Sequence, residues 1–125
     1  MPIIRVSMMA GKPPAYRQDI INSLYRAMRE ALGVPEDDQF ITITEHDRAN
    51  FRYGGYLGVA RSDDLLYIQI TVFDTRTLEQ KKAFYKRTAE LLGEQPGIRP
   101  EDVFITVLEA SKENWSLGYG VASFA

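Results

Sequence analysis

The sequence contains no cysteine and only one histidine, His46. Without cysteine the chain cannot form disulfides, thiolate metal sites or a cysteine nucleophile. A single histidine argues against a histidine-based metal cluster and against a Ser-His-Asp triad. We therefore expect no metal site, and His46 itself is interpreted as a structural residue at the end of a strand.

The chain also lacks a long apolar run and a strong net charge. No apolar stretch approaches the length that spans a bilayer. Arg5, Gly11 and Lys12 interrupt the start of the chain, where a signal peptide needs an apolar core. The net charge of −2 gives no general attraction to nucleic acid or to anionic membranes. These absences predict a soluble cytoplasmic protein with neither nucleic acid nor membrane as a partner.

The first half of the chain predicts a strand, a helix and a second strand. Its 125 residues, 45 % of them hydrophobic, suffice for one globular domain. Residues 2–8 predict the first strand. The helix is predicted from Ala15 to Leu32, with Gly33 as its C-terminal cap. Residues 40–44 are β-branched and alternate, which is typical of a strand. The helix prediction depends on a four-residue recurrence of apolar side chains, namely Ile20, Leu24, Met28 and Leu32.

The pattern restarts after an irregular segment. Residues 47–64 carry glycines, aromatics and arginines, which favours a structured loop over a linker. Residues 65–72 predict a third strand. The sequence from Thr77 to Gln80 fits a capping box, so a second helix is expected to begin there and to end at Gly93. Residues 103–108 predict the fourth strand. The buried stripe of the second helix is predicted to consist of Leu78, Tyr85, Ala89 and Leu92.

The restart is an internal repeat. Residues 33–45 align without gaps on residues 97–109, at an offset of 64, and Gly, Asp, Phe, Ile, Thr and Glu recur at the same places. Each half, about 1–60 and 61–125, is therefore a β-α-β unit with parallel strands. We predict a single α/β (α+β) domain in which the two units share a four-stranded sheet and both helices cover one face.

The other face of that sheet is expected to remain free of helices. Its half-apolar character makes it a candidate subunit interface. The apolar tail, residues 115–125, is expected to pack against protein, as a short hairpin on a neighbouring chain. The residues assigned to the open face are Phe40, Thr42, Thr44, Tyr67, Gln69, Thr71, Phe104 and Thr106.

Pro2 has two interpretations from the residues alone. A proline is tolerated at the first position of a strand, where no ladder donor is required. If Met1 is removed, however, Pro2 becomes a secondary amine at the mouth of the sheet. An α-amino group titrates near ~7.7–8.0 when unperturbed, which suits proton transfer near neutral pH.

A chain that starts Met-Pro and runs β-α-β twice resembles the tautomerase superfamily. Within it the chain looks most like the malonate semialdehyde decarboxylase group. The resemblance covers essentially the whole chain and implies the tautomerase fold, a homotrimer and catalysis by an amino-terminal proline exposed by methionine removal. It also implies a small carboxylate substrate and no metal or organic cofactor. The segments that carry it are Gly33-Val34-Pro35 with Asp38, Arg76 before Glu79-Gln80-Lys81, Phe84-Tyr85-Lys86, residues 97–103, and Trp115-Ser116 with Gly118 and Gly120.

The resemblance implies Pro2, Asp38 and Arg76 as catalytic residues. The family has two arginines, two residues apart, at the strand-to-helix junction, and the first of them falls on Asp74. Another arginine, such as Arg48 or Arg52 in the glycine-rich loop, would then supply the missing cation.

Trp115 and Asp38 each have a further interpretation. Trp115 would form a hydrophobic wall that lowers the local dielectric. Asp38 also has a structural interpretation, because Asp102 occupies its place in the other half and an aspartate suits the turn before a strand.

Three functions remain open at this level. The favoured one is enol-keto tautomerisation of a small 2-oxo acid, with neutral Pro2 as the base. The alternative is decarboxylation or hydration of a 3-oxo acid, with cationic Pro2 polarising a carbonyl and Asp38 activating water. The third is a binding or assembly module without turnover.

Overall fold

The computed structural model describes all 125 residues and confirms the two predicted β-α-β units. The strands and helices are β1 (Ile3–Met9), α1 (Pro14–Leu32), β2 (Ile41–His46), β3 (Leu66–Phe73), α2 (Leu78–Glu94) and β4 (Val103–Ala110). Neither helix combines the length and apolarity that crossing a membrane requires.

One mixed sheet with the strand order β2-β1-β3-β4 joins the two units. Strands β1 and β2 are parallel, as are β3 and β4, while β1 and β3 run antiparallel at the centre. Because of this arrangement, β1 and β2 begin at one end of the sheet, and β3 and β4 begin at the other. The residues before β1 and β2 are thereby brought together, and these include Pro2 and Asp38.

Both helices pack on the same face of the sheet, as predicted. The predicted stripe of α1, from Ile20 to Leu32 at every fourth residue, is fully or almost fully buried. The strand residues facing the helices alternate with exposed ones, which is the period of two expected for a sheet covered on one side. They include Ile4, Val6 and Met8 of β1, Leu66, Ile68, Ile70 and Val72 of β3, and the flanking Ile41, Ile43, Ile105 and Val107.

The predicted buried stripe of α2 is largely wrong. Leu78 is 62 % exposed and Tyr85 is 38 % exposed. The residues that α2 buries are instead Phe84, Thr88, Leu91 and Leu92. Their spacing of four, three and one residues places the apolar face one position away from Tyr85. Phe84 therefore fills the space against the sheet, and Tyr85 points outwards.

Of the two glycines predicted to end the helices, Gly33 does so and Gly93 does not. Gly33 caps α1 in the left-handed conformation, with φ of 64°, as expected. Gly93 lies inside α2, which continues to Glu94. Helix α2 ends there because Gln95 precedes Pro96, and the residue before a proline is disfavoured in helical geometry. The capping box of Thr77 and Gln80 is present.

The opposite face of the sheet carries no helix. Thr42, Thr44, Gln69, Phe104 and Thr106 are exposed there. The loop between β2 and β3 folds over one end of this face, where Phe51 lies 5.0 Å from Tyr67 between ring centroids.

The tail packs on its own chain. Residues 111–125 contain no strand within the single chain, and a hairpin on a neighbouring chain stays a prediction. Phe124 lies 5.1 Å from Phe73 and Trp115 lies 5.6 Å from it, measured between ring centroids.

Candidate active site

The start of the chain lies beside Asp38. The amino nitrogen of Met1 is 3.9 Å from Asp38 Oδ2, and Pro2 is buried directly before β1. The parallel pairing of β1 with β2 causes this proximity, because the Ile4 amide donates to the Phe40 carbonyl at 2.8 Å. Asp38 Oδ1 is buried and has no hydrogen-bond partner. This oxygen is available to a group that enters the site.

A hydrogen bond to helix α1 fixes the loop that carries Asp38. The Asp38 amide donates to the Pro35 carbonyl at 3.2 Å, which closes a turn. Asp37 adopts a left-handed conformation with φ of 68°, and its amide donates to the Tyr25 hydroxyl at 3.3 Å. Aspartate tolerates this backbone region better than most residues do. Tyr25 therefore helps to position the loop that presents Asp38.

Arg76 approaches the same place from the junction between β3 and α2. Its guanidinium donates through Nη1 to the carbonyl of Leu32, at the end of α1. Its Nε is buried and has no partner. Asp38 Oδ1 and Arg76 Nε are thus two unpaired polar atoms, one acceptor and one donor. Buried groups of this kind are uncommon unless they serve a ligand or a reaction.

The environment favours a neutral amine at the chain start. Burial lowers the pKa of the Met1 amino group below its ordinary value, and the positive charge of Arg76 lowers it further. The negative charge of Asp38 opposes this shift but does not reverse it. Burial is the largest of the three effects, the raising effect of Asp38 is second, and the lowering effect of Arg76 is the smallest.

An open groove of about 530 Å³ leads to the amino terminus. Its walls combine an acidic turn with aromatic and aliphatic side chains. Trp115 does not line the groove but packs edge-on against Phe73, which does. The indole nitrogen donates to the carbonyl of Ala110 at 3.3 Å. The residues that line the groove are Met1, Pro35, Glu36, Asp37, Asp38, Phe40, Phe73, Leu117 and Phe124.

Asp102, the repeat counterpart of Asp38, has a different environment. It is fully buried, and both of its carboxylate oxygens accept hydrogen bonds. Oδ1 accepts from the Ser62 amide at 2.7 Å, and Oδ2 accepts from the Ser62 hydroxyl at 2.6 Å and from Arg99 Nε at 3.3 Å. Burial works against ionisation of Asp102, but these hydrogen bonds outweigh it and lower its pKa. Asp102 is fully satisfied within the fold.

Arg48 and Arg52 lie far from the amino terminus within one chain. Both follow β2, whereas Pro2 and Asp38 precede β1 and β2. The seven residues of β1 separate the two ends of the sheet by about 23 Å. Arg48 is exposed and forms an ion pair with Asp63. One chain therefore brings together Asp38, Arg76 and the chain start, but not these two arginines.

Sequence analysis did not identify Phe73 or Tyr25 as part of this region. The predicted third strand ends at residue 72, whereas β3 ends at Phe73, which forms a wall of the groove. Its position three residues before Arg76 was an available signal. No feature of the sequence pointed to Tyr25. Its contact with Asp37 depends on how α1 packs beside a loop 12 residues further along the chain.

Two consecutive β-α-β units with the chain start beside a carboxylate and an arginine have the architecture of the tautomerase superfamily. Comparison with known proteins supports this assignment. A family model described as tautomerase enzyme matches residues 38–118, and a second model with the same description matches residues 2–60. The chain is 37 % identical over 123 residues to the probable tautomerase YusQ of Bacillus subtilis (strain 168), covering 98 % of this chain and 97 % of that protein.

Solved structures agree with this result. Crystal structures of wild-type, mutant and inactivated malonate semialdehyde decarboxylase, described as explaining its decarboxylase and hydratase activities, match with a TM-score of 0.91. Their identity is 29 %, over 98 % of this chain and 95 % of that one. A fused 4-OT symmetric trimer shares the fold at 19 % identity and a TM-score of 0.80, over 95 % and 94 % of the two chains. The chain belongs to the tautomerase family and is an enzyme of that superfamily.

Proposed function

We propose that this enzyme, after removal of Met1, is an amino-terminal-proline tautomerase that converts the enol form of a small 2-oxo acid into its keto form. The observation that carries the proposal is the position of the chain start. It lies 3.9 Å from Asp38, and Asp38 Oδ1 and Arg76 Nε are both buried and unpaired.

The proposed reaction is a proton transfer through one nitrogen. Neutral Pro2 accepts the proton of the enol hydroxyl, and the oxygen lone pair forms the carbonyl as the carbon–carbon double bond breaks. The carbon then takes a proton from the protonated Pro2, which restores the neutral amine. Arg76 binds the carboxylate of the substrate, for which a guanidinium has matching geometry. Asp38 orients the substrate through a hydrogen bond, and Trp115 supports the apolar wall through Phe73.

Removal of Met1 is required by this chemistry. While Met1 is attached, the nitrogen of Pro2 belongs to an amide and is not basic. Met1 also lines the groove, so its removal would enlarge the space next to Pro2. The lowered pKa of the Met1 amino group supports this role for Pro2, because burial and Arg76 together outweigh the opposing effect of Asp38 on an amine near this place.

Decarboxylation or hydration of a 3-oxo acid is a second candidate function. The similarity to malonate semialdehyde decarboxylase over nearly the whole chain favours it. In this mechanism Pro2 is cationic and polarises a carbonyl oxygen, while Asp38 activates a water molecule. The two functions need opposite protonation states of Pro2, so the dependence of rate on pH separates them.

We further propose a homotrimer that uses the open face of the sheet. That face exposes Phe104, at 42 %, with Thr42, Thr44 and Thr106 around it. A contribution of Arg48 or Arg52 to substrate binding would then come from the glycine-rich loop of a neighbouring subunit. Sedimentation of the purified protein tests this proposal, because Phe104→Asp should shift a trimer towards monomer while leaving the helix-covered face intact.

Intact mass and covalent trapping test the catalytic proposal. Protein from its native host should lack the mass of Met1, and a 3-halopropiolate, a small acetylenic acid, should modify the nitrogen of Pro2. Pro2→Ala should lose most of the tautomerase activity, whereas Pro13→Ala, at the exposed start of α1, should keep it. A retained Met1, or unchanged turnover in Pro2→Ala, would contradict the proposal.

A further inference from the structure

We propose that Lys112 is a substrate-binding residue that holds the carboxylate of the substrate together with Arg76. The inference rests on the proposed function, since it concerns the same groove and the same class of substrate. It adds a residue from the tail segment, outside both strand-to-helix junctions.

Negative charges in and beside the groove oppose the binding of a carboxylate, and the positive charge of Lys112 would offset them. Glu36, Asp37 and Asp38 line it, and Asp74 directly follows its wall residue Phe73. A substrate carboxylate that enters is repelled most by Asp38, whose side chain is largely buried, and less by the exposed carboxylates, which water screens. Arg76 is one compensating cation. Part of its hydrogen-bonding capacity is already used, since Nη1 donates to the Leu32 carbonyl.

Lys112 supplies a second positive charge beside the groove. It lies in a short 3-10 turn, Lys112–Asn114, directly after β4. Its ammonium nitrogen lies 5.9 Å from the centroid of the Phe73 ring, within the range of a cation–π contact. The same ring contacts Trp115 and Phe124, so the wall of the groove and the turn that carries Lys112 are packed as one unit.

Lys112 is also free to bind an anion. Lys12, Lys81 and Lys82 form ion pairs with Asp64, Glu109 and Glu79, respectively. Lys112 forms no ion pair with a carboxylate. A mobile ammonium on a flexible stem can move from the ring face to a carboxylate at little cost.

Other cations are less suited to this role. Arg29 already donates to the Tyr25 hydroxyl at 3.4 Å, which holds its guanidinium at the base of the loop before Asp38. Arg48 is paired with Asp63 at the other end of the sheet. Phe73 would contact the carbon skeleton of the substrate, and Lys112 and Arg76 would bind its charged end.

The test compares Lys112→Gln with Lys86→Gln, a matched change at an exposed lysine of α2. A contact made equally in the ground state and the transition state changes KM and not kcat. Loss of one charged hydrogen bond is expected to raise KM about 10-fold, with kcat changed less than about 2-fold. Lys112→Arg should stay near wild type, as should Lys86→Gln. A neutral ester of the same substrate should be insensitive to all three changes.

The outcomes separate this inference from the proposed function. An unchanged KM in Lys112→Gln, in an enzyme whose Pro2 is active, overturns the role of Lys112 alone. A wild-type protein without turnover overturns the proposed function. In that case calorimetric binding of propionate, a small carboxylate without a carbonyl group to enolise or hydrate, still tests Lys112. Its Kd should rise about 10-fold in Lys112→Gln if the residue binds carboxylates, and an equal Kd in both proteins overturns the inference.

Discussion

Asp38 and Asp102 occupy the same position in the two halves of the chain, yet only Asp102 has both carboxylate oxygens bonded. Ser62 saturates Asp102 because the chain runs continuously from Ser62 into β3. Beside Asp38, the nearest charged group to Oδ2 is the amino nitrogen of Met1 at 3.9 Å, and Oδ1 accepts no hydrogen bond. Of two equivalent positions, the protein therefore saturates one and leaves a carboxylate oxygen of the other available.

Substitution by asparagine should separate these two aspartates. Asp102→Asn replaces a buried, ionised acceptor with an amide whose NH₂ faces donors, and we expect a loss of about 2–3 kcal/mol in the free energy of unfolding. Asp38→Asn should lower kcat by about 100-fold with nearly unchanged stability. Thermal melting and steady-state kinetics on both variants provide the measurements. Equal destabilisation by the two changes would show that Asp38 is a structural residue.

The pH dependence of kcat/KM should report a neutral amine. A general base works when it has lost its proton, so activity should rise with pH through the pKa of Pro2. Burial and, to a smaller extent, Arg76 lower the pKa of an amine at this place by more than Asp38 raises it, and this displaces the rise towards lower pH than for an exposed amine. Arg76→Met removes one of the two lowering effects and should move the rise upwards. Activity that falls over the same range indicates the cationic amine of the decarboxylase mechanism.

The sequence predicts the fold well because two independent periodicities agree with a repeat. The buried stripe from Ile20 to Leu32 and the alternation in β3 each follow from local geometry, and the 64-residue offset then implies the shared sheet. The stripe of α2 was wrong because Leu78 and Tyr85 satisfy the helical period as well as Phe84 does. Only packing against the sheet decides which of these two faces of the helix is buried, and it favours the face that carries Phe84.

The candidate site was less predictable, because its parts meet through tertiary contacts. Asp38 and Arg76 were named from a resemblance, and the sheet order brings them near the chain start. Nothing local in the sequence distinguished Asp38 from Asp102, since the two share the same flanking pattern. The difference depends on Ser62, 40 residues before Asp102, and on its hydrogen bonds across the loop.

Arg76 should affect substrate binding through the shape of its guanidinium. A lysine keeps the charge but cannot donate in parallel to both oxygens of a carboxylate. We expect Arg76→Lys to raise KM about 10-fold and Arg76→Ala to raise it further, because a buried charged hydrogen bond is worth about 1.5–3 kcal/mol. Arg87→Lys, on the outer side of α2, serves as the control and should leave KM unchanged. If Arg76→Lys binds substrate as tightly as wild type, Arg76 acts only as a charge or as a support for α1.

Asp74 offers a change that should redirect the chemistry. The resemblance implies an arginine at this position, two residues before Arg76, in enzymes of the malonate semialdehyde decarboxylase group. Asp74→Arg replaces a negative charge next to the wall residue Phe73 with a positive one. We expect it to raise kcat/KM for decarboxylation of a 3-oxo acid at least about 10-fold, since one charged contact corresponds to about 1.4 kcal/mol. Asp74→Asn controls for loss of the negative charge alone and should give a smaller increase. Equal rates in Asp74→Arg and Asp74→Asn would mean that repulsion by Asp74, and not the absence of a cation, limits that reaction.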